Sequence, residues 1–283
     1  MTALQRHRRA QLALLLALPI GWLGVVYLGS LAVLLLSSFW QLNPLTSAIE
    51  HTFTLKNFTQ IATEAVYRVV ALRTLGIAAL VTITDALLAL PIAYYMARVA
   101  GRRTRTVLLV LVLLPLWSSY LVRVYAWRVI LSPNGPLDWF FDQIGLPGIT
   151  LGYSDASMWV VFSYIWLPYM ILPLYAGLSR IPRSLLEASS DLGARGFLTF
   201  RRVVLPLALP SLAAGSIFTF SLTLGDYITP TLVSNTQFIG NVVYESQGVA
   251  NNVPFAAAFA TVPVLIMAVY LYLAKRVGAF EAL

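Results

Sequence analysis

The 283-residue chain contains no cysteine, which excludes disulfides, thiolate metal sites and cysteine nucleophiles. Its two histidines, His7 and His51, are too few and too far apart in the chain to read as a metal site. Charge is scarce as well. Only 11% of residues are Asp, Glu, Lys or Arg, against about 25% in soluble domains, so a soluble globular protein is not the expected class. No GxxxxGK[ST] phosphate loop occurs, so ATP hydrolysis by the usual route is not expected of this chain. No helical stretch presents paired histidines and carboxylates, or a serine with a nearby base, which argues against a membrane enzyme. Nor does any period of about 20 to 50 residues repeat, and an ion-coupled secondary transporter using Asp85 and Asp226 would be expected to show an internal repeat.

What the chain has in quantity is apolar sequence, 59% of its residues. A hydrocarbon core needs about 20 apolar residues to be crossed by a helix. Six such windows lie near residues 12–39, 70–97, 106–131, 157–179, 204–232 and 256–274. The first follows a basic tail, as a signal peptide does, but the apolar run from Leu12 to Trp40 is too long for a cleaved segment and reads as a retained anchor. The expected fold is therefore all-α: a polytopic membrane protein with six transmembrane helices, treated as one domain over 1–283. The segment near 41–69 lies outside the spans as a short strand or helix.

The excess of 19 Lys and Arg over 11 Asp and Glu is sorted by loop, which points to membrane topology rather than to nucleic acid. Arg6, Arg8 and Arg9 precede the first span. Arg98, Arg102, Arg103 and Arg105 follow the second; Arg180, Arg183, Arg195, Arg201 and Arg202 follow the fourth; Lys275 and Arg276 follow the last. All four groups fall on one side, so both termini are predicted cytoplasmic, in a bacterial-type inner membrane. The opposite loops carry Glu50, Lys56, Glu64 and Arg68, then Asp138, Asp142 and Asp155, then Glu245.

One cytoplasmic loop is unusually structured. Ser184 and Glu187 have capping-box spacing, which predicts a helix starting at Ser184, just after Pro182. Gly193 follows roughly eight residues later, where a left-handed residue ends a helix, making a stub about 12 Å long. A stub that short is not stable alone in water. Leu185, Ala188, Ser189 and Leu192 give it one small, partly apolar face suited to a groove on another protein, or to lipid headgroups.

The spacing Glu187-Ala188-Ser189, three residues, Gly193, nine residues, Val203, one residue, Leu205-Pro206 resembles the EAA motif, EAA-x3-G-x9-I-x-LP, of permease subunits of binding-protein-dependent ABC importers. Ser189 for Ala and Val203 for Ile are the departures. The resemblance implies that the loop, about 180–206, is a coupling helix that docks on an ATP-hydrolysing subunit, with Glu187, Ala188, Gly193, Leu205 and Pro206 at the motif positions. It implies as partners a second, homologous permease chain, two ATPase subunits and an external solute-binding protein. ATP and Mg would then sit on the ATPase partner, with no cofactor on this chain. Pro206 and Pro210, four apart, are expected to bend the start of the fifth span.

Ionisable groups inside spans are functional candidates by default. Asp226 follows Thr219 and Thr223, and with Ser216 these form one polar stripe along the fifth span that could line a pathway; pairing of Asp226 with Arg123 or Arg128 is the structural alternative. Asp85, beside Thr82 and Thr84 in the second span, is open to either a substrate contact or a packed helix contact. Arg73 reads as a snorkelling residue. Tyr120, Arg123 and Trp127 share a helical face that suits an aromatic belt or a cation-binding surface.

LeuValArgValTyrAlaTrp at 121–127, followed by AsnGlyPro, and LeuGlyAspTyrIleThrProThrLeu at 224–232 resemble the spermidine/putrescine branch of these permeases. Arg123, Tyr125, Trp127, Asp226 and Tyr227 match its patterns VRxYAW and GD[YF]xTPxL. The segment 235–240, AsnThrGlnPheIleGly, departs from that branch by lacking a glycine pair. Related permeases with the same signatures serve opines, amino-phosphonates and other small solutes. A polyamine substrate implies a route lined by Asp226, Tyr227, Thr223, Thr219, Tyr125, Trp127 and Asp85, with Arg123 beside it.

Overall fold

The structure, a computed structural model, describes residues 3–145 and 151–279, except for the side chains of residues 3–10 and 13. The side chains of Arg6, His7, Arg8 and Arg9 therefore lie outside the described set. In chain order, α1 (Ala3–Trp22) passes through a π-helical stretch, Leu23–Leu28, into α2 (Gly29–Ser37). A two-stranded ribbon follows, β1 (Gln41–Leu42) and β2 (Ile49–Glu50), then α3 (Lys56–Thr63) and α4 (Ala65–Tyr94), which ends in a π turn, Tyr95–Val99. Next come α5 (Arg102–Trp117), α6 (Tyr120–Ile130), α7 (Pro136–Gln143), α8 (Asp155–Arg180), α9 (Arg183–Asp191) and α10 (Gly196–Thr199). A π turn, Phe200–Val204, leads into α11 (Leu205–Gly225), and α12 (Ile228–Val233), α13 (Ile239–Gly248) and α14 (Val253–Arg276) complete the chain.

Among the described residues, Leu14–Ser37, Ala65–Val99, Asp155–Arg180, Gly196–Gly225 and Val253–Arg276 are long and apolar enough to cross a membrane. The pair α5–α6 supplies a sixth span if counted as one, but it is bent by 93°. The span expected over 106–131 is thus a broken one. Pro115 stands in the last turn of α5, and its carbonyl accepts from the Ser118 N–H at 3.2 Å and from the Ser118 hydroxyl at 2.7 Å. A serine that closes on the backbone in this way offers an alternative to helical continuation, and Ser118 and Ser119 are both extended.

Contacts divide the chain into two units. One comprises Met1–Glu64 and Val243–Thr261. Here the segment expected as strand or helix holds both. Gln41 and Asn43 donate to the Glu50 carboxylate at 2.8 and 2.6 Å across the ribbon, and Asn57 of α3 donates to the Ser38 and Trp40 carbonyls at 3.0 and 2.8 Å. Phe39 stacks on Phe53 with centroids 4.8 Å apart.

The other unit comprises Ala65–Val242 and Val262–Leu283. Its centre is a trio of helices in which α4, α8 and α11 all pack on one another. Lipid tails are as apolar as leucine, so such a trio is held by close packing and internal hydrogen bonds rather than by escape from water. The buried face of α4 accordingly carries small side chains, Ala78, Ala89 and Ala93, each with no exposed surface. Gly177 of α8 lies so close to α11 that a Cβ there would overlap the Ser211 side chain. Phe162, Ile165 and Phe238 fill one apolar cluster, and Met96, Met170 and Leu174 fill a second.

Candidate functional site

The loop between α8 and α11 is built as a closed helical stub. The sequence places a capping box at Ser184 and Glu187; the structure instead starts α9 at Arg183, with Pro182 as N-cap and no side-chain cap bond. The ring of Pro182 holds φ at −62° with ψ at 141°, so the helix can begin one residue earlier and Ser184 is already inside it. The other end follows the glycine expectation. Gly193 has φ +77°, its N–H donates to the Ser190 carbonyl at 2.8 Å, and the Ala194 N–H donates to the Ser189 carbonyl at 3.0 Å. These two bonds are the Schellman pair, which satisfies carbonyls that the helix end would otherwise orphan.

The predicted docking face is corrected at one position. Ser189 is buried and bonds to the Thr199 hydroxyl at 3.0 Å, while Leu186, three residues earlier, packs against the apolar cluster around Leu174. The outward face is Leu185, Ala188 and Leu192, with Leu192 89% exposed and Glu187 exposed beside it. Helical spacing explains the split, since 186 and 189 share one face and 185, 188 and 192 another. Leu205 is half-buried and Pro206 exposed at the start of α11. Pro206 stands in the first turn of α11 and Pro210 inside it, and the span from Gly196 to Gly225 runs through the π turn at Phe200–Val204.

A second constellation joins α6 to the corner between α11 and α12. α11 stops at Gly225, and Asp226 is extended (φ −75°, ψ 133°), so the stripe from Ser216 does not run on to Asp226 as one helical face. The carboxylate instead turns back over α12. Its Oδ1 accepts from the backbone N–H groups of Ile228 (2.8 Å) and Thr229 (3.3 Å). Its Oδ2 accepts from the Tyr120 and Thr229 hydroxyls, the latter at 3.0 Å. The partner of Asp226 is thus Tyr120, and neither Arg123 nor Arg128. The Arg123 guanidinium lies 5.9 Å from the Tyr120 ring centroid, its Nε and Nη1 enclosed without a hydrogen-bond partner. Arg128 lies over Tyr153 at 5.8 Å.

A cavity of about 320 Å³ opens at this corner, lined by Tyr120, Trp166, Ser221, Leu222, Gly225, Asp226 and Tyr227. The other pathway candidates lie apart from it. Thr219 and Thr223 are fully buried, their hydroxyls donating to the Ser216 and Thr219 carbonyls at 3.2 and 2.8 Å. Asp85 is fully buried in α4 with both carboxylate oxygens unpartnered. Trp127 packs on Tyr164, ring centroids 5.2 Å apart, and Tyr125 is exposed on a different side of α6. Arg73, read as snorkelling, pairs with Asp155 at 3.5 Å. Sequence reasoning missed Trp166 as a cavity wall and Asn241, which donates to the Tyr227 carbonyl at 2.9 Å and the Thr231 hydroxyl at 2.7 Å. Among the described residues no cluster of His, Cys, Asp or Glu could hold a metal.

Over residues 89–279 the sequence matches the family described as binding-protein-dependent transport system inner membrane component. It is 48% identical over 286 residues to the inner membrane ABC transporter permease protein YdcU of Escherichia coli K12, covering 96% of this chain and 91% of that one. It is 28% identical over 256 residues to the spermidine/putrescine transport system permease protein PotB of the same organism, covering 89% and 92%. The fold is similar to a chain in the crystal structure of a bacterial ABC transporter involved in the import of the acidic polysaccharide alginate, with a TM-score of 0.72 at 18% identity over 96% of this chain and 98% of that one.

Proposed function

The chain belongs to the family of binding-protein-dependent transport system inner membrane components, and from that premise we propose that it forms half of the translocation pathway for a small organic solute, with polyamines as the first candidates. It is a multi-pass inner-membrane subunit of an ABC importer and not an enzyme. In this reading residues 1–283 act as one permease domain with both termini in the cytoplasm. The partners are a second permease chain, two ATPase subunits that bind ATP and Mg, and an external solute-binding protein.

The observation that carries the reading is α9: a stub closed at Gly193 by a Schellman pair and presenting Leu185, Ala188 and Leu192 outward, with Glu187, Ala188 and Gly193 at the spacing of the EAA motif. We assign Glu187 and Ala188 to the docking surface. Gly193 sets its end, and Leu205 and Pro206 set the root of the helix it moves.

The polyamine assignment is supported by the similarity to PotB and by the aromatic residues Tyr120, Trp166 and Tyr227 that line the cavity, since aromatic rings attract ammonium groups. Asp226 would act there through Tyr120, because its four hydrogen bonds already fill the acceptor sites of a carboxylate. Thr219, Thr223 and Asp85 would bear on the route only when the buried helix interfaces open. One observation favours a second reading: the enclosed, unpartnered nitrogens of Arg123 suit a solute that carries a carboxylate or phosphonate as well as an amine, such as an opine or amino-phosphonate. Uptake into vesicles of labelled spermidine, putrescine and an opine, with ATP and the binding protein each present or withheld, decides. Polyamine uptake that needs both supports the first reading; opine uptake alone replaces it with the second.

A further inference from the structure

Of the described arginines on the α9 side of the spans, Arg98 and Arg105 donate to backbone carbonyls at helix ends. Arg98, in the π turn after α4, is half-buried, and its Nη2 donates to the Leu178 carbonyl at 2.5 Å and to the Ile181 carbonyl at 2.7 Å. Leu178 lies in the last turn of α8, and Ile181 is its C-cap, two residues before α9 begins. The last carbonyls of a helix lack intrahelical donors and carry the negative end of its dipole, so a guanidinium fits both needs. Arg105 of α5 repeats the arrangement one helix back, its Nε donating to the Met96 carbonyl at 3.0 Å.

The stub is also secured on its far side. Ser189 bonds to Thr199 of α10 at 3.0 Å, and the Schellman pair fixes the turn between them. α9 is therefore held at its exit by its own loop and at its entry by a residue 83 positions earlier in the chain. Peptide connectivity alone would pass a displacement of α9 into α8 and α11. With Arg98 in place, the same displacement bears on α4 as well.

Building on the reading of α9 as a coupling helix, we propose that Arg98 is a positioning residue that makes α9, the end of α8 and the end of α4 move as one body when the ATPase subunit pulls on the stub. It touches no solute and no nucleotide. Its effect falls on how much transport each ATP cycle yields.

The absence of native cysteine gives a direct test. Cysteines placed at the exposed positions Tyr95 and Asp191 carry spin labels on the π turn that ends α4 and on α9 in the assembled transporter. With Arg98 present, a single narrow distance is expected that does not change when ATP is added. In Arg98→Gln the distance distribution should broaden and shift with ATP, while solute imported per ATP hydrolysed falls about tenfold and ATPase activity is retained. Arg98→Lys, which keeps a donor and a charge but loses the planar fork, should fall between the two. If Arg98→Gln does not assemble, the lysine variant decides. A narrow, ATP-independent distance with an undiminished transport ratio in the variant overturns the inference. So does a wild-type distance that itself changes with ATP. A wild-type chain that recruits no ATPase subunit overturns the importer reading, and this inference falls with it.

Discussion

The hydroxyl of Tyr120 donates to the carboxylate of Asp226, 106 residues away in sequence. This bond fastens α6, the part of the broken span beyond the 93° bend, to the corner where α11 gives way to α12. It also leaves the Tyr120 ring free to form a wall of the cavity, stacked on Trp166 with centroids 5.8 Å apart.

Tyr120→Phe keeps that wall and removes the bond. Losing one partner of a buried carboxylate costs about 1–3 kcal/mol, so the solubilised protein should melt at a lower temperature. Uptake should fall through its maximal rate more than through its half-saturation concentration, because the ring face is unchanged. A variant with wild-type melting would show that Thr229 and the backbone N–H groups hold Asp226 unaided.

At Gly193 the demand is conformational. A Cβ there would meet nothing within 4 Å, but φ is +77°, and a left-handed L-residue costs about 1–2 kcal/mol, least for asparagine. Gly193→Val should weaken co-purification of the ATPase subunit, and Gly193→Asn should restore most of it. Equal retention by both variants would remove the Schellman turn from the docking account.

Gly177 poses the opposite case, because there space is the limit. Gly177→Ala drives a methyl into Ser211 and is expected to cost about 1–3 kcal/mol by overpacking. Ser211→Gly in the same chain should recover much of that loss. Additive losses in the double variant, read from thermal melts of all four proteins, would mean that α8 and α11 separate more readily than their packing suggests.

Asp85 tests whether a buried carboxyl is kept for function. Both of its oxygens lack partners inside the trio of α4, α8 and α11, and an enclosed unpaired polar group is destabilising. Asp85→Leu, of similar shape but apolar, should therefore raise the melting temperature while lowering uptake, the pattern of a site that trades stability for activity. Higher stability with unchanged uptake would remove Asp85 from the transport route.

Much of this architecture was legible along the chain. Long apolar windows located the spans, since a bilayer imposes a length that a single helix must meet by itself. A gapped motif located α9, and a glycine marked its end, because caps and turns are decided by neighbouring residues. Faces were less legible: Ser189 reads outward when it is grouped with Leu185 and Leu192, and only its bond to Thr199 shows that it turns inward.

The sequence by itself determined the all-helical class, the broad places of the spans and the stub with its left-handed end, all of them consequences of local composition and backbone preference. The structure showed that the third span breaks beside its two serines, and tertiary packing decided that Asp226 answers to Tyr120 rather than to an arginine and that Arg98 closes the end of α8. The second and third of these rest on groups far apart in sequence finding one another, 106 and 80 residues apart. A carboxylate or a guanidinium can bond to many partners, and packing of the helices selects which one lies within reach.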